Sequence, residues 1–356
     1  MAKKVFVGMS GGVDSSVTAL LLKQAGYDVT GVYMKNWTKD LPGFECPWQE
    51  DFNDAKRVAT QLDIPFKVYD FETKYRDKVV NYLLDGYKSG LTPNPDIMCN
   101  QEIKFKLFLD LAISEGADMV ATGHYSKTGL LKNKSVLKTA VDTNKDQTYF
   151  LYRMPRYSLS KTIMPIGDYL KSSIREIALK NKLATATKKD SQGICFVGKV
   201  GIKEFLIAEL GEQETGAVID ETGKIIGEHD GAIFYTIGQR HGLNIGGGLP
   251  YYVYKKDMKK NLVYATRNLD QTTLWSKNIN LTSLHWLIDD IDTFSESDNV
   301  WVRTRYRAPL VKITSLKKVS NNQYLLTATE DIRAVTVGQS AVFYQDDIVL
   351  GGGIIC

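Results

Sequence analysis

The feature that most constrains the fold is a regular alternation of strand and helix patterns along the first part of the chain. Short apolar runs such as KKVFVGM, DVTGVYM, IPFKVYDF and DMVATG alternate with segments whose apolar residues recur at helical spacing, as Val13, Val17 and Leu20 do. Strands that alternate with helices form a parallel sheet with right-handed crossovers. The sequence therefore predicts an α/β domain that binds ligands beyond the carboxyl ends of its strands.

The pattern changes near residue 200, where turn signals become frequent and short β-rich runs lie between them. From about residue 280, alternation of apolar and polar residues dominates, which is typical of a small barrel or sandwich. A chain of 356 residues has room for two or three domains. We predict an α/β domain over 1–200, a small β-rich connector over 201–275 and an all-β barrel over 276–356.

Composition excludes few functions. The chain is 43% hydrophobic and 24% charged, no apolar run approaches the ~18 residues of a membrane span, and MAKKVFVGMSGG lacks a signal-peptide core. We therefore expect a cytoplasmic protein with no membrane partner. The net charge of +4 does not establish an acidic partner. Basic clusters within 171–203 and 303–307 fit either phosphate contacts or solvated surface.

The four cysteines are Cys46, Cys99, Cys195 and Cys356, and none forms a CxxC pair, which argues against a structural zinc knuckle. In a reducing cytosol they are expected to be free thiols, and such thiols are usually small core residues. We predict no role for Cys46 and Cys356.

The surroundings of Cys99 single it out. Pro93 and Pro95 favour an extended chain in LTPNPDIMCNQEIKF, and Asp96 then fits a helix N-cap. Cys99 would be the third helical residue, where the positive helix end favours a thiolate. The alternative is that Asp96 only caps the helix while Cys99 faces the core.

The segment GMSGGVDSS joins the first strand to the first helix. Its paired glycines allow a tight turn and a close approach to a ligand, and the helix N-terminus offers unpaired N–H groups, so together they predict an anion cradle. The segment is neither a Walker loop nor a GxGxxG motif. The alternative is a tight turn capped by Asp14.

SGGVDS resembles the pyrophosphate loop of the ATP pyrophosphatases, an adenine nucleotide alpha hydrolase-like group that transfers AMP to a substrate and releases pyrophosphate. The resemblance implies that Asp14 helps to bind Mg²⁺ and that Met34 and Gly123 line the adenosine pocket. It implies that the ATP phosphates are held by Gly8, Met9, Ser10, Gly11, Gly12, Val13, Asp14 and Ser15.

A narrower resemblance extends over residues 4–355. The motifs NPDIMCNQEIKF, GHYSK, NKDQTYFL, KKDSQGICF, YTIGQRHGLNIGGGLPYYV, RTRYR and LGGGII resemble the tRNA-specific 2-thiouridylase family. The resemblance implies ATP-dependent adenylation of the C2 oxygen of wobble uridine 34, followed by sulfur transfer. Cys195 would carry a persulfide, Cys99 would be the nucleophile that forms a transient disulfide with it, and Asp96 would be the acid/base.

The same resemblance implies that Asn94, Pro95 and Asp96 contact the target base. It implies tRNA contacts by His124, Lys145, Asp146, Gln147, Arg305, Tyr306 and Gln339. The partners would be the tRNAs for Lys, Glu and Gln and a sulfur donor, either a cysteine desulfurase or a relay protein. We expect a monomer.

Two alternatives belong to other classes. A ligase acting on a small molecule would not need Cys99 or Cys195, and a non-catalytic RNA-binding protein would release no pyrophosphate. The sequence leaves open whether sulfide is released or the persulfide attacks directly.

Overall fold

The computed structural model describes residues 2–190, 198, 200–243, 245–246, 249–288 and 293–356. Within this part of the chain, none of the helices has both the length and the apolar character that crossing a membrane requires.

The amino-terminal domain is built on a five-stranded parallel sheet with the order β3-β2-β1-β4-β7. Its strands are β1 (Lys4–Gly8), β2 (Asp28–Lys35), β3 (Phe66–Asp70), β4 (Met119–Thr122) and β7 (Thr162–Ile163). A hairpin of two further strands, β5 (Lys127–Leu131) and β6 (Lys134–Lys138), lies between β4 and β7 in the sequence. The central strand β1 is almost wholly apolar and buried, as expected for a parallel sheet covered on both faces. The predicted α/β architecture is confirmed.

Helices cover the two faces of this sheet. The α-helices in the described part of the chain are α1 (Val13–Gln24), α2 (Trp48–Gln61), α3 (Glu72–Tyr75), α4 (Asn81–Lys88), α5 (Pro95–Met98), α6 (Leu109–Ser114), α7 (Arg156–Ser160), α8 (Lys171–Lys180) and α9 (Ile202–Leu210). A π-helical segment, Arg76–Val80, joins α3 to α4, and another, Cys99–Phe108, joins α5 to α6. Cys99 therefore lies in one continuous helical run that begins at Pro95.

The middle of the chain forms a separate four-stranded sheet with the order β10-β11-β8-β9. Its strands are β8 (Gly216–Ile219), β9 (Ile225–His229), β10 (Tyr252–Asp257) and β11 (Leu262–Thr266). This sheet is the β-rich unit expected between the α/β domain and the barrel.

The carboxyl-terminal strands close into a barrel, because β12 pairs with both β16 and β18. They are β12 (Trp275–Trp286), β13 (Phe294–Ser295), β14 (Trp301–Arg303), β15 (Val311–Ser320), β16 (Gln323–Arg333), β17 (Ser340–Gln345) and β18 (Ile348–Ile355). Closure leaves few open sheet edges. The predicted barrel is confirmed.

The hairpin β5–β6 connects the first domain to the barrel, a link that the sequence patterns did not predict. Strand β6 pairs with β18 at Leu137 and Val349, so the hairpin extends the barrel sheet. A core cluster spans the same junction and contains Phe105 and Tyr149 from the first domain with Tyr344 from the barrel. The first domain and the barrel therefore share buried apolar surface.

Candidate active site

The glycine loop lies at the carboxyl end of β1, where the parallel fold predicts ligand binding. Gly11 has φ +74°, and a Cβ atom there would lie 2.3 Å from the backbone oxygen of Asp51. Only glycine fits this position without displacing α2. Helix α1 begins at Val13 with Gly12 as the N-cap, so the first N–H groups of the helix open toward the loop. Asp14 lies in the first turn and does not cap the helix.

Met34 and Gly123 lie beside this loop, from the neighbouring strands. A Cβ atom at Gly8 would lie 2.9 Å from the terminal carbon of Met34. A Cβ atom at Gly123 would lie 2.7 Å from the backbone nitrogen of Ser15, so the chain after β4 touches the first turn of α1. The residues expected to bind phosphates and adenosine therefore converge on one edge of the sheet.

Asp14 is surrounded by donors. Lys171 Nζ lies 2.7 Å from Asp14 Oδ1 and 2.8 Å from Asp14 Oδ2, and the Tyr125 hydroxyl donates to Oδ1 over 2.9 Å. Burial, followed by the Asp14 charge and hydrogen bond, raises the pKa of Tyr125 far above its ordinary value. Tyr125 therefore stays protonated and acts as a donor.

The start of the Cys99 helix corrects one prediction. Asn94, not Asp96, is the N-cap: its Oδ1 accepts the backbone N–H groups of Asp96 at 3.0 Å and Ile97 at 3.3 Å. Pro95 occupies the first helical position, where its missing N–H costs nothing. Asp96 is the second helical residue and is half-buried, and the side chain that caps the helix is that of Asn94.

Cys99 is the fifth helical residue rather than the predicted third. The effect of a helix dipole is concentrated in the first turn, so the helix N-terminus does not provide the activation that we predicted for this thiol. The side chain is fully buried, in the cluster that also holds Met34 and Phe108. Phe108, from the same helical run, lies 3.6 Å from the Cβ position of Gly8. The Cys99 helix therefore packs directly against the edge of the sheet that carries the glycine loop.

Cys195, the predicted persulfide carrier, lies outside the described residues. Gly198 is described, and a Cβ atom there would lie 3.0 Å from Pro47. Val200 belongs to the same core cluster as Cys99. On the other side of Cys195 in the sequence, Asp190 contacts Lys145, Lys171 and Arg175.

The other two thiols differ in exposure. Cys46 is half-buried, its Sγ donates to the Trp37 carbonyl over 3.6 Å, and burial raises the pKa of its thiol. Cys356 is exposed at the end of the chain.

The predicted tRNA contacts in 145–147 make internal interactions. Lys145 pairs with Asp190 at 2.8 Å. Asp146 is buried, accepts the Ala140 N–H at 2.7 Å and also accepts from Thr148. Gln147 Oε1 accepts the Tyr125 N–H at 2.9 Å. These side chains shape the loop beside Asp14, and their predicted contact with tRNA stays a prediction.

His124 is also buried. Its Nδ1 lies 2.8 Å from Thr122 Oγ1 and its ring packs on Phe105. Burial, with a smaller contribution from Lys104, holds the pKa of His124 well below its usual range, so the ring is neutral at physiological pH. A neutral, buried imidazole suits support of the sheet edge, and its contact with tRNA stays a prediction.

The barrel residues of this set join domains. Arg305 donates to the Ile237 carbonyl over 3.1 Å and to Thr336 Oγ1 over 3.0 Å. Gln339 Nε2 donates to the Thr92 carbonyl over 2.7 Å. Tyr306 is half-exposed and packs on Phe150, with ring centroids 4.5 Å apart. Arg305 and Gln339 thus connect the barrel to the connector and to the segment before Asn94.

Sequence reasoning missed the roles of Lys171, Asp190 and Tyr125. In the sequence, Lys171 is one member of a basic stretch. Asp190 and Tyr125 lie inside the motifs KKDSQGICF and GHYSK, whose resemblance indicates other residues. The position of Asp190 and Tyr125 inside these motifs is the one sequence signal that could have indicated them. Nothing in the residue spacing shows that Lys171 contacts Asp14, which is 157 positions away.

Three family models match the chain in order. Their descriptions are tRNA methyl transferase HUP domain over residues 3–199, tRNA methyl transferase PRC-barrel domain over 203–267 and aminomethyltransferase beta-barrel domain over 276–355. Together with the glycine loop at the sheet edge, these matches define a tRNA-modifying protein of the HUP-domain class.

Curated relatives make the assignment narrower. The chain is 47% identical to the tRNA-specific 2-thiouridylase MnmA of Bacillus subtilis, over 99% of this chain and 94% of that protein. It is 45% identical to the protein of the same name from Bacillus cytotoxicus, with the same coverage. The chain belongs to the tRNA-specific 2-thiouridylase family. A solved 4-thiouridine synthetase in complex with RNA and ATP is similar only remotely, with 15% identity and a TM-score of 0.34 over 56% of this chain and 46% of that chain.

Proposed function

We propose that this chain is a tRNA-uridine 2-sulfurtransferase that converts the wobble uridine of the tRNAs for Lys, Glu and Gln into 2-thiouridine, with release of AMP and pyrophosphate. The observation that carries the proposal is full-length identity of 47% to a tRNA-specific 2-thiouridylase. The geometry agrees with it, because the Cys99 helix packs on the edge of the sheet that carries the glycine loop.

The first step is activation of the base. The C2 oxygen of uracil is a poor leaving group. When this oxygen attacks the α-phosphorus of ATP, pyrophosphate is released and the oxygen becomes bonded to AMP, so that it can later leave as part of AMP. The segment from Gly8 to Ser15 would hold the phosphates through backbone N–H groups and the α1 N-terminus. Met34 and Gly123 would line the adenosine pocket.

The site offers Mg²⁺ one carboxylate beside the glycine loop. In phosphate sites, Mg²⁺ usually takes one or two carboxylates and completes its shell with phosphate oxygens and water. Asp14 supplies one such carboxylate beside the loop. Within the described ranges, no group of three or more His, Cys, Asp or Glu side chains is arranged to hold a metal ion. Bound Mg²⁺ would neutralise phosphate charge.

The second step is sulfur transfer, and the two cysteines supply its electrons. In one route, Cys99 attacks Cys195 Sγ of the persulfide, which releases sulfide and leaves a disulfide, and the sulfide displaces AMP at C2. In the other, the terminal persulfide sulfur displaces AMP first, and Cys99 then attacks Cys195 Sγ and frees the thiolated base. Both routes end with a Cys99–Cys195 disulfide that an external thiol must reduce.

Asp96 is the proposed acid/base in both routes. Because Asn94 provides the helix cap, the Asp96 carboxylate is not needed for that purpose. We propose that it acts at the base, which Asn94 and Pro95 would also contact. The target base must leave its stack to reach this segment.

The tRNA surface is proposed in two parts. Lys145 and Tyr306 are half-exposed and suit direct contacts with phosphates and bases. His124, Asp146 and Gln147 would support the loop beneath this surface, and Arg305 and Gln339 would fix the barrel against the segment before Asn94. The barrel would thereby set the register between the tRNA and Asp96.

Further parts of the proposal concern organisation and partners. We propose domain boundaries at 1–200, 201–275 and 276–356, a monomeric cytoplasmic protein, and a sulfur donor that is either a cysteine desulfurase or a relay protein. Cys46 and Cys356 would take no part in the reaction.

The test is a thiolation assay with ATP, Mg²⁺, tRNA and a cysteine desulfurase, read as slowed tRNA migration in a mercury-containing gel. The wild-type protein should give a retarded band, and Cys99→Ser and Cys195→Ser should not. Activity in both variants would contradict the two-cysteine mechanism. Mass spectrometry of the nucleoside separates thiolation from the methyl transfer that the family-model descriptions name.

A further inference from the structure

The ammonium of Lys171 lies between two carboxylates at the edge of the sheet that carries the glycine loop. Lys171 is the first residue of α8, and its Nζ lies 2.7 and 2.8 Å from the two oxygens of Asp14 and 2.8 Å from Asp190 Oδ1. Asp142 accepts its backbone N–H at 2.9 Å. The Lys171 side chain is only 14% exposed, so its ammonium is held by these protein groups and has little contact with water.

Asp190 is itself held by two further cations. Lys145 Nζ lies 2.8 Å from Asp190 Oδ2, and Arg175 donates to Asp190 Oδ1 over 2.7 Å. Burial tends to raise the pKa of the Asp190 carboxyl, but the hydrogen bonds from Lys145 and Lys171 outweigh it and hold the pKa far below its usual range. Asp190 therefore stays ionised at physiological pH, and Lys171 would keep this partner if its contact with Asp14 were lost.

This arrangement has an electrostatic consequence for ligand binding. A phosphate chain in the glycine loop would lie close to the negative charge of Asp14, and the two would repel each other without a cation between them. Lys171 is the cation already present there. An ammonium is a compact charge with three N–H donors. Unlike the planar guanidinium of arginine, it can exchange one oxygen partner for another without requiring a particular orientation.

We propose that Lys171 binds the β- and γ-phosphates of ATP, exchanging its contacts with Asp14 for phosphate oxygens, and that Asp190 is the positioning residue that keeps the ammonium at the site. The inference rests on the proposed function for the identity of the nucleotide. When the uracil oxygen attacks the α-phosphorus, the bond from that phosphorus to the bridging oxygen breaks and negative charge develops on pyrophosphate. Lys171 would stabilise that charge.

The alternative is that Lys171 only neutralises Asp14. The two possibilities are separated by removing Lys171 in a protein in which Asp14 is already uncharged. Asp14→Asn is the reference, and Asp14→Asn/Lys171→Met is the test variant, because it replaces both partners with side chains of similar shape and leaves no unpaired charge between them. Asp190 keeps Lys145 and Arg175 in both proteins.

The affinities of ATP and AMP are measured by calorimetry in EDTA, so that metal coordination does not contribute. The ratio of the two affinities reports recognition of the β- and γ-phosphates. We expect the reference protein to bind ATP more tightly than AMP, and Lys171→Met in this background to weaken ATP binding about tenfold or more while AMP affinity changes less than about twofold. Lys180→Met, which removes an exposed lysine of the same helix, should leave both affinities unchanged.

Equal ATP affinities with and without Lys171, or equal ATP and AMP affinities in the reference protein, would overturn the inference. Lys171→Met alone, with Asp14 intact, should weaken ATP binding more than the double variant does, because the Asp14 carboxylate has then lost the ammonium that neutralised it and repels the phosphates. These measurements need neither tRNA nor sulfur. A protein that fails to thiolate tRNA can still support the role of Lys171, and a thiolating protein can still contradict it.

Discussion

Gln339 of the barrel donates a hydrogen bond from its side-chain nitrogen to the backbone carbonyl of Thr92, two residues before the Asn94 helix cap, over 2.7 Å. The Thr92 N–H donates in turn to the Val337 carbonyl at 2.9 Å. Gly338 has φ +93°, and a Cβ atom there would lie 2.7 Å from Thr92 N, so the two segments are in direct backbone contact. The barrel therefore fixes the segment that leads into Asp96 and Cys99.

Gln339→Ala should lower the rate of thiolation rather than the affinity for tRNA. A hydrogen bond of this kind contributes about 1 kcal/mol, so we expect kcat to fall about fivefold while the Kd for tRNA changes less than about twofold. Single-turnover thiolation and filter binding measure the two quantities.

A matched control is available in the same barrel. Gln345 Nε2 donates to the Asp298 carbonyl over 2.7 Å at an exposed site. Gln345→Ala should change neither quantity. A rise in Kd for Gln339→Ala with an unchanged kcat would instead show that Gln339 acts as a direct tRNA contact.

Much of the first domain could be predicted because its signals are local. Apolar runs and helical spacing predict the strands and helices, and parallel strands bring their carboxyl ends to one edge. That geometry alone places Gly8, Met34 and Gly123 together. The barrel strands were likewise visible as alternating apolar and polar residues.

The helix cap was assigned to the wrong residue although its signal was present. Asn and Asp are both residue types that favour the N-cap position, so residue type alone does not decide between Asn94 and Asp96. Pro95 decides between them, because proline favours the first helical position and so marks the residue before it as the cap. The error shifted Cys99 by two positions and led to the incorrect argument for activation by the helix dipole.

Contacts between distant segments could not be predicted from one sequence. The pairing of β6 with β18, and the contact of Lys171 with Asp14, join residues that no periodicity relates. They depend on how the packed elements meet in three dimensions.

Asn94→Ala should destabilise the start of the Cys99 helix. It removes the acceptor for the Asp96 and Ile97 N–H groups, which typically costs about 1 kcal/mol of unfolding free energy. Asn94→Ser keeps a capping oxygen and should retain most of that stability. Urea denaturation compares the two variants. If neither variant loses stability, the side-chain cap contributes little and Pro95 alone defines the helix start.

Stability should depend on His124 as the pH falls. The pKa of His124 in the folded protein lies well below the 6.5 of an unfolded histidine, so the unfolded chain binds the extra proton first and stability decreases as the pH drops below about 6.5. His124→Gln should make the free energy of unfolding less sensitive to pH between 7 and 5.5, because about one proton fewer is taken up when the protein unfolds.

The control for this experiment is His241, which is exposed. His241→Gln makes the same replacement at an exposed position, and the His124→Gln slope is compared with it. His229 and His285 also have lowered pKa values, mainly through burial, so part of the dependence should survive in His124→Gln. An identical slope in His124→Gln and wild type would mean that His124 does not remain neutral in the folded protein.

Thiol labelling should follow burial. In a Cys195→Ser protein without ligands, Cys356 should react first with a maleimide because it is exposed, Cys46 more slowly because it is half-buried, and Cys99 last because it is fully buried. Peptide mass spectrometry over time gives the order. Fast labelling of Cys99 would show that its helix opens readily in the free protein. Addition of denaturant should bring all three rates together.

Gly11→Ala should disable the glycine loop. Alanine at φ +74° is strained, and its Cβ atom would lie 2.3 Å from the Asp51 backbone oxygen, so either the loop or α2 must move. We expect a loss of about 2 kcal/mol or more in unfolding free energy, or a folded protein with at least about tenfold weaker ATP binding. Gly116→Ala is the matched control, because Gly116 has φ +90° and open space around its Cβ position. It should cost only the backbone strain of about 1 kcal/mol and leave ATP binding intact. If the two variants behave alike, the close approach of Asp51 does not determine the shape of the loop.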